Sequence, residues 1–242
     1  MSLKLDEAKK LHQKKYRTEF GYFLVEGEHL ILELEKAAAI NPVFKHCELF
    51  VTESFNDFPS QFKKNHVSEK QMAQLSDTKT PQGIIAVAPL PTNTSAQSSN
   101  EKVIYLYEVQ DPGNLGTILR SLAWFGNFRC LLSPGSVDPY NPKVVRSSMG
   151  AIFHVPIELD VPVESLAERF KSIATLDMNG KALSDKSFQN FDCYLFGNEA
   201  RGVPREALQS MNAQAFTVAG CGAIESLNLA SAVNMCVYEL NR

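Results

Sequence analysis

Residues 103–126 read "VIYLYEVQDPGNLGTILRSLAWFG". The apolar run 103–109 predicts a buried strand, and Asp111, Pro112, Gly113 and Asn114 place turn-forming residues directly behind it. From Leu115 onward, Ile118, Leu119 and Leu122 share one face of a helix predicted over 115–126, with Asn114 placed to cap it. Arg120 falls on the other side of that helix, four residues before Trp124, the single tryptophan. Two readings of Arg120 stand open here. It is either a solvated guanidinium lying over the indole, or a cation carried over the sheet edge toward an anion.

Downstream, the strand-like runs "CLLS" (130–133), "FHVPIEL" (153–159), "IATLDM" (173–178), "CYLFG" (193–197) and "AFTV" (215–218) alternate with helical stretches. Those helices are predicted near 142–148, over 163–171 and 204–210, and from about 228. Such alternation implies an α/β fold whose parallel sheet is covered on both faces, with ligands at the carboxyl ends of the strands. Upstream, "PLPTNTSAQSSNEK" (89–102) is polar and proline-bearing and reads as a linker. Ahead of it, "YFLVEGEHLILELEKA" (22–37), "CELFVT" (47–52) and "GIIAVA" (83–88) predict a small α/β domain. The expected division is therefore 1–90, a linker over 91–101, and 102–242.

Two further loops follow strands. "FGNEARGVP" (196–204) sets glycines on both sides of Asn198 and Glu199, with Arg201 close enough to Glu199 for a local ion pair. "VAGCGAIESLNLASAVNMCVYEL" (218–240) carries Gly220 and Gly222, then Ser226 and Asn228 where a long helix begins. A helix start needs one polar cap, and here two flank a single leucine.

Composition narrows the chemistry. The chain has 242 residues, 44% of them hydrophobic and 21% charged, without an apolar run long enough to cross a bilayer or a leader-like start, which predicts a soluble cytoplasmic protein. Its five cysteines are widely spaced with no CxxC, and its five histidines never fall at i, i+4, so neither a disulfide framework nor a metal site is expected. The net charge of −3 argues against wholesale nucleic-acid coating, yet residues 1–20 hold six Lys or Arg against three Asp or Glu, a basic arm able to meet phosphates. Neither a GxGxxG nor a GxxxxGK[ST] pattern is present, which argues against the standard dinucleotide and P-loop classes.

In their order, "DPGNLGTILRSLAWFG", "FGNEARGVP" and "ESLNLASAVNMCVYE" resemble the three motifs of the SpoU (TrmH-like) RNA ribose methyltransferases of the SPOUT superfamily, across residues 102–242. The intermediate "VDPYNPKVVRSSMGAIFHVPI" looks like that family's linking segment, and "FLVEGEHLILE" with "TPQGIIAVA" resembles the substrate-binding domain often fused in front. The resemblance implies a parallel sheet whose C-terminal segment forms a trefoil knot, S-adenosylmethionine held by the knotted loops, and a homodimer pairing through the second domain. By the same resemblance, Gly197, Val218 and Leu227 line the cofactor pocket through backbone groups, completed by Thr175 to Met178, Gly202, Gly220 and Ala223. Arg120, Asn114, Glu199, Ser226 and Asn228 are the implied catalytic set, with no metal. The implied partner is RNA, ribosomal ahead of transfer RNA.

Methyl transfer to a ribose 2′-hydroxyl needs loss of a proton as the new bond forms. A guanidinium, with a pKa above about 12, is a poor base. Arg120 is therefore read as a fork that holds a phosphate and stabilises the developing alkoxide. Glu199 either orients Arg120 or Asn228, or pairs with Arg201. Two other classes compete: an RNA-binding module on this fold without the reaction, and a small-molecule α/β enzyme. Arg120, Glu199 and Asn228 speak against the first, and the basic arm and separate front domain speak against the second.

Overall fold

The computed structural model describes residues 3–91, 101–224 and 226–242. Most of the expected linker, residues 92–100, lies outside the described residues. The chain divides into two compact units, Met1–Thr92 with Asp138–His154, and Asn93–Val137 with Val155–Arg242.

The first unit opens with helices α1 (Leu5–Ala8) and α2 (Lys14–Phe20), then strand β1 (Tyr22–Glu26) and helix α3 (Glu28–Ile40). The apolar stretch 22–37 is thus two elements. Gly27, at φ +104°, takes the backbone across the junction in a conformation that disfavours other residues. Strands β2 (Glu48–Val51), β3 (Lys63–His66) and β4 (Ile84–Pro89) complete a sheet in the order β1-β4-β2-β3, with helix α4 (Glu69–Leu75) between β3 and β4 in the chain. β3 pairs parallel to β2 at the sheet edge, and its polar "KKNH" carries no strand signal of its own. Leu24, Phe50, Ile85 and Val87 pack with Ala8, Leu11, Met72 and Leu75 in a core that holds the helical N-terminus on the sheet.

In the second unit, β5 (Lys102–Leu106) leads into α5 (Pro112–Phe125) and β6 (Phe128–Leu132). The chain then leaves this unit: Asp138–His154, carrying α6 (Pro142–Ser148), belongs by its contacts to the first, although the sequence groups it with 102–242. Arg17 explains much of this. It is buried, its Nε and Nη2 donate to Asp138 Oδ2 at 2.9 and 2.5 Å, and Nη1 donates to the Leu11 carbonyl at 2.7 Å. Arg17 therefore does not belong to the solvated basic arm. Arg146 on α6 adds an ion pair to Asp77 at 3.0 Å.

The remaining elements are β7 (Ile157–Glu158), α7 (Leu166–Arg169), β8 (Ile173–Ala182), β9 (Cys193–Phe196), α8 (Arg205–Ser210), β10 (Gln214–Thr217) and α9 (Leu229–Leu240). All six strands run parallel in the order β10-β8-β9-β5-β6-β7. Three predicted spans contract. The strand expected over 103–109 ends at Leu106, leaving Tyr107 to Gln110 as a loop. "FHVPIEL" is a strand only at Ile157–Glu158, because Ala151–Phe153 forms a 3₁₀ turn and Pro156 has no N–H to donate to a ladder. The helix expected over 163–171 is a 3₁₀ turn followed by the short α7. In one layer of the core, Val103, Tyr105, Leu131, Cys193 and Leu195 of the central strands pack with Leu166, Phe170 and Met211, and the one buried hydroxyl, that of Tyr105, donates to the Val161 carbonyl at 2.9 Å. α9 packs against α5, where the Phe125 and Tyr238 rings meet edge to face at 6.4 Å.

Candidate active site at the strand ends

β5 has β6 on one side and β9 on the other, so the sheet changes winding direction between β5 and β9. At such a switch point the loops leaving the two strands diverge and open a crevice. The loops there are Tyr107 to Asp111 and Gly197 to Pro204, the motif-bearing ones.

Asp111, not Asn114, caps α5: its Oδ1 accepts the Asn114 N–H at 2.7 Å. Asn114 consequently sits inside the first turn with its side-chain amide available. Its Nδ2 donates to Glu199 Oε1 at 2.7 Å, and its Oδ1 accepts from Asn228 Nδ2 at 2.9 Å. Asn228 Oδ1 in turn caps α9 by accepting the Ser231 N–H at 3.2 Å. The direction of this relay is determined throughout. The Ser231 N–H can only donate, which fixes the oxygen of Asn228; a carboxylate can only accept, which fixes the amide of Asn114. Two aligned amides thus run from the helix start of one loop to the carboxylate of another, an arrangement in which each bond polarises the next.

Glu199 does not pair with Arg201. The Arg201 guanidinium goes instead to Glu108 Oε2, at 2.5 Å. Nor does Arg120 lie on the indole: it is exposed, and among the described residues it forms no hydrogen bond, ion pair or ring contact. Trp124 is 85% exposed. Ser226 is exposed in the loop before α9 and makes no hydrogen bond among the described residues. The structure therefore joins Asn114, Glu199 and Asn228 and leaves Arg120 and Ser226 with polar groups turned to solvent.

Gly197 is required by packing. A Cβ there would stand 2.6 Å from the Gly202 carbonyl carbon, because Asn198 and Gly202 close a small antiparallel bridge with N–H···O distances of 3.2 and 2.8 Å. Inside that loop Asn198 is buried. Its Oδ1 accepts the Ala200 and Arg201 N–H groups at 3.0 and 3.2 Å, and its Nδ2 donates to the Glu108 carbonyl at 2.8 Å. Of the other residues expected to line a cofactor, Val218 is half-buried, whereas Gly220, Ala223 and Leu227 are exposed along the loop into α9. Ile224 and Met178 also present apolar side chains to solvent. Among the described residues no three His, Cys, Asp or Glu side chains gather as a metal site. Cys221 is exposed; the other four cysteines are buried, and burial pushes the Cys47 and Cys130 thiols up to about 12.

Residues 101–238 match the SpoU rRNA Methylase family, and residues 4–86 match the MRM3-like substrate binding domain. The chain belongs to the SpoU rRNA methylase family. It is 34% identical over 244 residues to the Bacillus subtilis 23S rRNA (guanosine(2553)-2′-O)-methyltransferase RlmP, covering 98% of this chain and 95% of that one. A TrmH-family structure from Porphyromonas gingivalis superposes with a TM-score of 0.81 at 27% identity, over 100% of this chain and 99% of that one. The fold is also that of the SpoU methyltransferase AviRb from Streptomyces viridochromogenes, solved with AdoMet, at a TM-score of 0.80 and 20% identity over 99% of this chain and 97% of that one.

Within this SpoU chain, three site residues escape a reading of the sequence. Asp111 and Asn114 are equivalent cap formers, and only Asn114's distant partners separate them. Asn198 makes an Asx-type turn that accepts the N–H groups of Ala200 and Arg201, two and three residues on, a signal that "GNEARG" does carry. Glu108 gives no signal, since a glutamate within the run 103–109 has no marked local preference.

Proposed function

We propose that this chain is an S-adenosylmethionine-dependent RNA methyltransferase that acts on a ribose 2′-hydroxyl of ribosomal RNA. The observation that carries the reading is the directed Asn228–Asn114–Glu199 relay at the strand ends, with an exposed Arg120, without a partner among the described residues, on the same helix as Asn114. The likeness to an enzyme named for 2′-O-methylation of 23S rRNA supports both the reaction and the substrate.

The residues present fit the cofactor. The clipped Gly197–Gly202 turn brings backbone polar groups to the crevice, and Ile224, Leu227 and Met178 offer apolar surface that an adenosyl group would cover. The backbones of Gly197, Val218 and Leu227 would hold it, with Gly202, Gly220 and Ala223 completing the walls. When bound, it supplies an electrophilic methyl carbon. Arg120 binds the phosphate beside the target ribose and stabilises the developing alkoxide, a role that its planar fork suits and that a base would not fill. Asn114, held by Glu199 on one side and Asn228 on the other, fixes the first turn of α5, on which Arg120 rides. Ser226 contacts the nucleotide from the loop before α9. The proton passes to solvent or to the phosphate.

The same reading divides the chain into a substrate-binding domain (1–90), a linker (91–101) and a methyltransferase domain (102–242). It threads the C-terminal segment into a trefoil knot and pairs two copies through the second domain. Trp124 on α5 and Met235 and Tyr238 on α9 are large exposed apolar side chains on packed helices, suited to cover by a second copy. No helix among the described residues is long and apolar enough to cross a membrane; we place the protein in the cytoplasm. Ribose-methylation mapping of ribosomal and transfer RNA from cells with and without the gene tests the substrate. One ribosomal 2′-O-methyl lost with the gene is the expected result, and a loss confined to transfer RNA would redirect the assignment. Calorimetry with a chelator present should show metal-independent cofactor binding.

A further inference from the structure

The loop after β5 turns on a residue to which the chemistry above gives no part. Glu108 adopts φ +47°, a left-handed backbone that side-chain-bearing residues rarely take. Its N–H donates to Ser133 Oγ at 2.7 Å, and its carbonyl accepts from Asn198 Nδ2 at 2.8 Å and Gln110 Nε2 at 3.3 Å. Its carboxylate pairs with Arg201. Since β5, β6 and β9 end at Leu106, Leu132 and Phe196, this single residue ties together the loops leaving three neighbouring strands. Backbone strain of this kind persists only where the surroundings over-determine it, and it clusters at functional sites.

The backbone contacts and the carboxylate contact do different things. Ser133 and Asn198 reach the main chain of Glu108 and would be met by any residue there. The carboxylate alone reaches Arg201, two residues beyond Glu199 on the same loop. With the side chains 27% and 70% exposed, that ion pair contributes little to folding. Its geometric effect is larger, because the Asn198–Gly202 loop also carries the carboxylate that anchors Asn114.

We propose that Glu108 is a positioning residue: its carboxylate latches Arg201 and thereby holds Glu199 at hydrogen-bonding distance from Asn114. The inference rests on the methyl-transfer reading of the site. It separates rate from stability, since glycine at this position removes the latch and at the same time relieves the left-handed strain.

Glu108→Gly should therefore melt at the wild-type temperature or above it. Its single-turnover methyl transfer should fall about tenfold, with the KM for S-adenosylmethionine within about twofold, as expected when orientation and not binding is lost. Hydrogen exchange of the Ala200 and Arg201 amides should accelerate by about tenfold as the loop loosens. Exchanging the charges, Glu108→Arg with Arg201→Glu, should recover most of the rate lost in either single variant. An unchanged rate with unchanged loop exchange in Glu108→Gly would overturn the latch, as would a rate loss matched by a fall in melting temperature. If the wild-type protein itself transfers no methyl group to RNA, the proposed function fails. The exchange measurement then judges the latch alone: acceleration sustains it and no change removes it.

Discussion

On α2, Arg17 commits its guanidinium to protein: Nε and Nη2 to Asp138, and Nη1 to the Leu11 carbonyl, with the two ion-paired side chains only 4% and 10% exposed. On α5, Arg120 makes no such contact among the described residues and stands in solvent. Both are helical arginines, and neither helix needs one. A buried guanidinium must be saturated by its own fold, because an uncompensated buried charge is strongly destabilising. An exposed one is free to receive an outside anion. The contrast separates an arginine that builds the structure from one that awaits a ligand, and it is open to direct attack.

The sharpest attack is on the saturated member. Arg17→Ala leaves the Asp138 carboxylate, only 10% exposed, without its partner inside the first unit, and should lower that unit's stability by about 3–5 kcal/mol, read from denaturant unfolding. If the loss is under about 1 kcal/mol, the pair does not hold Asp138–His154 in place.

Arg120→Ala should do the reverse. Stability should stay within about 0.5 kcal/mol, while single-turnover methyl transfer with saturating RNA and cofactor drops by roughly two to three orders of magnitude. Arg120→Lys keeps the charge without the planar fork and should recover little of that loss. Near-normal rates for the alanine variant would return Arg120 to a merely solvated residue.

A smaller effect is expected at Asn114, which acts through its neighbours. Asn114→Ala removes both relay bonds and leaves the Asp111 cap intact, so turnover should fall by about tenfold to a hundredfold with little change in melting. Asn114→Asp should be no better, since a carboxylate cannot donate to Glu199 and would repel it. The mildest test concerns Cys221. Thiol alkylation near neutral pH should modify this exposed cysteine alone, because burial holds Cys47 and Cys130 near 12 and raises Cys193 and Cys236 further. On the proposed site, S-adenosylmethionine should slow the labelling; indifference to the cofactor would move it away from that loop.

The alternation of strands and helices, the location of three polar loops after strands, and the residue types those loops carry are all legible in the residue pattern. These are local matters: turn formers such as Asp111 to Asn114 and stripes such as Leu115, Ile118, Leu119 and Leu122 act within a few residues of chain. The same local reasoning could not choose the cap of α5, because Asp111 and Asn114 serve equally well until Glu199 and Asn228 engage one of them. Tertiary structure alone decided the pairings across long separations, Arg17 with Asp138 over 121 residues and Arg201 with Glu108 over 93. It also decided that Asp138–His154 leaves its neighbours in sequence for the first unit. A charge finds its partner by proximity in the folded chain, and nothing in the spacing of an arginine and an acid along the sequence encodes that distance.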